Sequence, residues 1–477
     1  MAVAPGPHEQ ARVAERSFVD RSFSRMDAGS VRGSVFSLCS SAIGSGVLLL
    51  PFTFGQVGPL VASISLALGA CAGYVSLRIC CAGMYVAGTD SYVATLGALW
   101  SSKWLVGVLT FMLVLSCFGQ TCGYFVFAAQ LLQQLLRVLG APRALCTWWV
   151  VVIVIACFPA LPLSLWRKLS DFRYLTLVTF LGLSYLTLLV VGRMPYYVNI
   201  ASIEGQLWRV PNVWDVPLCW SLGFYAYVTH MNVFSTYAEL ANPTSIRIVK
   251  VINRSVTVET ILYVTVAIFG FLSFGAGTPD NILLAYDETD ALANMGRFFV
   301  FLQLNVSIPL TVFPGRTQLW ALLRLLSRKR PAGGDSACDV SLVSMPCQAT
   351  LAAAAANGHT VAAGDESALP KEPGTVAHVV ISTTFLALAA LVAVLVPSAS
   401  DLMGIVGGFS CVTYVCLLPA ELARKLRAEH AAAIPDSPAA FIAGPRGAVV
   451  IGFLRACTLL GYCAAGRAAW SILGGGK

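Results

Sequence analysis

Residues 40–51 read SSAIGSGVLLLP, with three serines, two glycines and a proline in a stretch otherwise apolar enough to cross a bilayer. Gly and Ser are poor helix formers, and Pro ends or kinks a helix. In water such a cluster reads as a loop or a cap. In lipid, unwound backbone is tolerated only where protein buries it or where it lines a cavity. The solvent around this segment therefore decides the fold.

Composition answers that question. Of 477 residues, 57% are hydrophobic and 11% charged, and the mean hydropathy is +0.75, whereas soluble domains carry about 25% charged residues. This is the composition of a polytopic membrane protein. Residues 1–33 are polar and hold Arg12, Arg16, Arg21, Arg25 and Arg32 ahead of the first apolar run, which predicts a cytosolic tail and not a cleavable signal peptide.

At about 20 apolar residues per crossing, eleven spans are expected: 34–57, 60–84, 104–136, 145–162, 174–192, 213–237, 252–274, 294–324, 376–396, 401–420 and 447–470. With the N-terminus in the cytosol, 23 of the 31 Lys and Arg fall on the cytosolic side and seven on the outer side, with Arg455 inside a span. That asymmetry sets the orientation and places the C-terminus outside. The net charge of +8 then reflects orientation and requires no nucleic-acid partner. Residues 326–374 are rich in Ala, Gly, Ser and Pro and read as a flexible cytosolic linker. The domain plan is a tail (1–33), a core (34–420, with halves 34–192 and 213–420 around that linker), and a closing cytosolic loop with the eleventh span (421–477).

Most of the fifteen cysteines lie in apolar runs, where they behave as small hydrophobes. No CxxC pair with His, no Walker GxxxxGK[ST] motif and no recurring pair of acids on neighbouring spans is present. The sequence thus argues against a zinc site, an ATP-driven pump and an intramembrane enzyme, and it calls for no cofactor.

A broken span has a use in a carrier. The N-terminus of one half-helix directs free N–H groups at a carboxylate, while freed carbonyls can hold a cation. Ile43–Gly46 in the first span suits such a break, because Gly44 and Gly46 relieve steric limits on the backbone and Ser45 adds a hydroxyl. The competing reading is a small-residue packing face of the Gly-xxx-Gly type, but these glycines are two apart and do not share a face. A second interruption is expected in the sixth span, WSLGFYAYVTHMNVFSTYAELANPT, around Ser221, Gly223 and Tyr225. Two interrupted spans five apart fit a five-plus-five inverted arrangement, because an odd number of spans per repeat reverses the second half.

Five stretches in order resemble the amino acid/auxin permease family: SSAIGSGVLLLPFTFGQVG, LPLSLWRKLSDFRYLTL, FYAYVTHMNVFSTYAEL, NVSIPLTVFPGRTQL and MGIVGGFSCVTYVCLLPAEL. The resemblance runs from about residue 34 to 420. It implies an all-α carrier of eleven transmembrane helices, the first ten forming the leucine-transporter-like inverted repeat with broken first and sixth helices. It further implies that Ser41, Ile43, Gly44, Ser45 and Gly46 meet the amino and carboxylate groups of an amino acid, with Phe224, Tyr225 and Tyr227 on the opposing break. Sodium-coupled members of the family have an Asn at the position of Ser40 and a Thr at that of Ser307. Serine keeps an oxygen at both, but the amide is lost at Ser40.

Few other polar groups lie within the spans. Gln120 and Tyr124, one turn apart on the third span, are candidates for the side-chain pocket or for a helix-packing contact. His230 and Glu259 are titratable, and a proton needs only one titratable group, so proton symport or uncoupled transport is favoured over sodium. Arg78 and Arg455 read as snorkelling cations, and Asp280, Asp287, Glu288 and Asp290 as solvated outer loop. The expected function is secondary transport of neutral amino acids across the plasma membrane, in preference to a vacuolar or lysosomal one. The alternatives are an amino acid-sensing, receptor-like homologue and a carrier of cationic amino acids.

Overall fold

The computed structural model describes residues 30–472 apart from 43, 90–91, 101, 167–174, 199–202, 204–211, 241–242 and 328–373. Among the described residues the chain is all helical. The first half comprises α1 (Val31–Ala42), α2 (Gly46–Ala87), α3 (Tyr92–Leu99), α4 (Lys103–Val138), α5 (Trp148–Ser164) and α6 (Leu175–Tyr197). The second comprises α7 (Asp215–Ala226), α8 (His230–Glu239), α9 (Ser245–Phe274), α10 (Ala291–Ser327), α11 (Thr375–Leu395), α12 (Ala399–Glu429) and α13 (Arg446–Ile472). Seven of these, α2, α4 and α9–α13, are long and apolar enough to cross a membrane. The expected linker, 326–374, lies almost wholly outside the described residues.

Helix α2 has 42 residues, about 63 Å at 1.5 Å per residue, twice the roughly 30 Å of a hydrocarbon core. It is divided at Gly58, whose φ of 77° and ψ of 154° lie in a region open only to glycine. Pro59 follows, and the chain turns there from the first apolar run into the second. Helix α12 departs from α geometry at Val406–Cys411 and Thr413–Leu417, where the turns are wider. Such π-turns shift the side-chain register along a helix.

Helix α7 sits against α2, α12 and α13, and glycines let the backbones touch. A Cβ on Gly69 of α2 would lie 2.7 Å from the Gly223 carbonyl oxygen, and one on Gly407 of α12 would lie 2.9 Å from that of Ser221. Gly408 meets the Gly461 carbonyl of α13 in the same way. Close backbone packing through small residues substitutes for a hydrophobic driving force that lipid does not supply between helices.

The acidic loop between α9 and α10 corrects the sequence reading. Of its four acids, only Asp287 and Glu288 are exposed. Asp280 accepts hydrogen bonds from the backbone N–H groups of Ala399 (3.0 Å) and Ser400 (3.3 Å), so it caps α12. Burial pushes its carboxyl up despite those two donors. Asp290 pairs with Arg193 of α6 at 2.5 Å. Burial alone would raise the Asp290 carboxyl, but hydrogen bonds from Arg193 and from the N–H groups of Ala293 and Leu292 outweigh it and hold it below its usual range. Arg297, fully buried on α10, donates to the carbonyls of Leu283 (3.1 Å) and Tyr286 (2.6 Å) and ties the loop down.

The two candidate snorkelling arginines also have partners. Arg78 donates to the Pro438 carbonyl at 2.8 Å and lies over the Phe441 ring. Arg455 pairs with Glu421 of α12 at 2.5 Å. The cysteines among the described residues are all free.

Candidate functional site

Two interruptions face each other near the centre of the bundle. The first separates α1, ending at Ala42, from α2, starting at Gly46. The second separates α7, ending at Ala226, from α8, starting at His230. Across the second, the chain turns through Tyr227 N–H to the Phe224 carbonyl (3.1 Å) and Val228 N–H to the Tyr225 carbonyl (3.3 Å). Small and polar residues permit both turns without a lipid-exposed backbone, since Ser45, Gly46, Ala226 and Tyr227 are all buried.

The breaks touch directly. Ser45 Oγ and Tyr225 Oη share a hydrogen bond of 3.1 Å. A Cβ on Gly46 would lie 3.2 Å from Ala226 Cα, and one on Gly44 would lie 2.5 Å from Tyr124 Oη, whose ring reaches in from α4. A third tyrosine closes the arrangement: Tyr263 Oη on α9 donates toward the carbonyls of Ala42 (3.1 Å) and Ala226 (2.9 Å). Three hydroxyls, from α4, α7 and α9, thus gather where the half-helices meet.

The electrostatics follow from the helix ends. The carbonyl ends of α1 and α7 carry partial negative charge and the N–H ends of α2 and α8 partial positive charge. A zwitterion matches that pattern, its ammonium toward Ala42 and Ala226 and its carboxylate toward the Gly44–Gly46 turn.

The structure distributes the sequence candidates unevenly. Gly44, Ser45, Gly46, Tyr124 and Tyr225 come together as described. Ile43 lies outside the described residues, as do the side chains of Ser40 and Ser41. Phe224 packs on Trp220, with ring centroids 5.3 Å apart. Tyr227 hydrogen-bonds Thr260 of α9 at 3.1 Å and meets the Tyr263 ring edge-on, so it anchors the second break to α9.

His230 Nε2 lies 2.7 Å from Ser76 Oγ, and its ring packs against Tyr414 of α12. Gln120 donates to Ser116 on its own helix (3.0 Å), and Ser116 donates to Tyr414 (3.1 Å). Gln120 and His230 therefore belong to a chain that joins α4, α12, α8 and α2. Ser307 Oγ donates to the Gln303 carbonyl one turn back (3.0 Å).

Glu259 is buried in α9. Its Oε1 accepts from Ser255 Oγ at 2.6 Å, while its Oε2 has no partner among the described residues. Ser255 Oγ also lies 3.4 Å from Cys39 Sγ, three residues before α1 ends. None of the ion pairs among the described residues involves Glu259.

Sequence reading missed Tyr263, Ser255 and Cys39. The signal was present: Ser255, Glu259 and Tyr263 recur every four residues, which puts all three on one face of α9.

The chain is similar to known amino acid transporters. The family described as transmembrane amino acid transporter protein matches residues 27–442. Vacuolar amino acid transporter 6 of Saccharomyces cerevisiae is 25% identical over 421 residues, covering 85% of this chain and 92% of the yeast protein. Vacuolar amino acid transporter 5 of Schizosaccharomyces pombe is 26% identical over 61% of this chain and 69% of its own length. Sodium-coupled neutral amino acid transporter 7 of Xenopus laevis is 26% identical over 67% of this chain and 73% of its own. The crystal structure of MhsT in complex with L-phenylalanine superposes with a TM-score of 0.52 at 14% identity, covering 93% of this chain and all of MhsT. The fold is therefore leucine-transporter-like. The two vacuolar relatives give the expected plasma-membrane location no support.

Proposed function

The chain belongs to the transmembrane amino acid transporter family, and on that premise we propose that it is a secondary carrier of neutral amino acids working by alternating access. In this reading eleven spans cross the membrane and the first ten form two inverted repeats, so that α1–α2 and α7–α8 are equivalent broken helices. The observation that carries the reading is the direct meeting of the two breaks through the Ser45–Tyr225 hydrogen bond, in a place whose helix ends suit a zwitterion.

Preference for neutral substrates is supported by what lines that place. Gly44, Ser45, Gly46, Tyr124 and Tyr225 carry no formal charge, and a cationic side chain in a membrane interior needs a nearby carboxylate. Glu259, one turn from Tyr263 on α9, has one oxygen engaged by Ser255 and one without a partner among the described residues, so a preference for lysine or arginine that is lost in Glu259→Gln would assign it to a cationic side chain. The name of the Xenopus relative points the same way.

For coupling, a proton is favoured over sodium. Ser307 and the serine at position 40 offer only neutral hydroxyl oxygens, and position 40 lacks the amide of sodium-coupled relatives. Glu259 joins a titratable group to α1 through Ser255 and Cys39, whereas His230 is engaged by Ser76 and Tyr414. The vacuolar names of two relatives favour the membrane of an acidic compartment.

The test is uptake into proteoliposomes from a panel of the twenty amino acids, at pH 5.5 and 7.5, in sodium and in choline. Neutral amino acids should lead, choline should leave uptake nearly unchanged, and Glu259→Gln should flatten the pH dependence. Uptake led by lysine or arginine, or lost in choline, would overturn the substrate or the coupling assignment. Saturable binding without any movement of label would replace the carrier with a receptor.

A further inference from the structure

We infer that Tyr263 is a placeholder for the substrate's ammonium group, holding the two breaks together while the carrier is empty and yielding when it is loaded. The inference rests on the carrier reading above and goes beyond it by assigning a step of the transport cycle to a residue on α9.

A phenolic hydroxyl has one hydrogen, yet Tyr263 Oη lies within hydrogen-bonding distance of two carbonyls, 3.1 Å from Ala42 and 2.9 Å from Ala226. Each carbonyl belongs to the last residue of a half-helix, where intrahelical partners run out. Tyr263 is fully buried, so water does not replace it. The Ala42 carbonyl also accepts from Gly44 N–H at 3.0 Å, so the hydroxyl matters most to Ala226.

An ammonium group brings three hydrogens and a full charge. It satisfies both carbonyls at once and more strongly than a neutral hydroxyl does. The loaded carrier has no need of Tyr263, but the empty carrier, which must reorient with the breaks closed, does. A carrier working in exchange mode reorients loaded in both directions. One working in net uptake must also return empty.

The experiment compares the two modes in proteoliposomes, with an equimolar mixture of radiolabelled neutral L-amino acids as the probe. Tyr263→Phe keeps the ring and removes the oxygen. Leaving a buried acceptor without a partner in the closed, empty carrier costs about 1–3 kcal/mol, which is about fivefold or more in the empty return step. Net uptake should therefore fall at least about fivefold while exchange stays within about twofold of wild type.

Parallel loss of both modes, or no change in either, overturns the inference. Absence of exchange in the wild type overturns the carrier reading instead. Should Tyr263→Phe fail to fold, para-aminophenylalanine incorporated at position 263 keeps the shape and supplies two N–H donors. It should preserve the wild-type ratio of net uptake to exchange; a fall in that ratio overturns the inference.

Discussion

Gly44 and Tyr124 are in contact at the first break because one of them has no side chain. A methyl group added at position 44 would lie 2.5 Å from Tyr124 Oη and 2.9 Å from Cε1, too close unless the ring moves. Gly44→Ala should therefore cut uptake sharply while membrane abundance is maintained, and Tyr124→Phe in the same protein should recover part of it. Equal uptake by the single and double variants would show that the contact does not matter. The adjacent Ser45 and Tyr225 form a separable pair. Loss of either hydroxyl should cost about 1 kcal/mol in thermal stability, and the double variant little more than either single, since only one hydrogen bond is at stake. Much of this was legible in the sequence, because glycines and serines in an apolar span have few other uses. The partners were not. That Tyr124 meets Gly44 while Gln120, one turn away, donates to Ser116 and Ser116 in turn to Tyr414 depends on how α4 is rotated against α12, which no local pattern encodes.

At the level of elements, Gly58 shows where backbone conformation governs. Its φ of 77° and ψ of 154° suit only glycine, so Gly58→Ala should destabilise the protein by about 1–3 kcal/mol, read as a lower melting temperature in detergent. On α4, a methyl group added at Gly107 would have nothing within 4 Å, and there Gly→Ala should stabilise by about 0.5–1 kcal/mol. The clip between α6 and the start of α10 has a pH signature. Asp290 has a depressed carboxyl because Arg193 and two backbone N–H groups outweigh its burial. Its contribution is therefore present above the unfolded Asp value of about 3.9 and lost as pH falls through the lower folded value. Stability measured from pH 6 to pH 3 should drop at the acid end, and Asp290→Asn should be less stable at pH 6 with a flatter profile. The bridge would stay formed in a compartment near pH 5. Sequence reading took this loop for solvated surface, since a run of acids gives no hint that Asp280 caps α12 or that Arg297 is buried beneath the loop.

For the whole molecule, the expected crossing number makes a parity prediction. Eight spans separate the N-terminal tail from the 326–374 linker and eleven separate it from the C-terminus. Epitope tags at the tail and in the linker should therefore be accessible from one side of the membrane, and tags at Glu288 and at the C-terminus from the other. A tail and linker on opposite sides would refute the eleven-span count. Composition, the repeated apolar runs and the clustered small residues were sufficient to read an all-helical chain with membrane-spanning helices, two of them interrupted. Those features are local: each span must satisfy its own backbone in lipid, so each leaves a mark about 20 residues long. The tertiary structure alone decided which side chains meet at the breaks, that Tyr263 on α9 joins the Ala42 and Ala226 carbonyls, and that Glu259 is tied to α1 through Ser255 and Cys39. The physical reason is that helices in lipid pack by shape and by hydrogen bonds between residues far apart in sequence. The rotation and register of one helix against another belong to the assembled bundle and to no single segment of it.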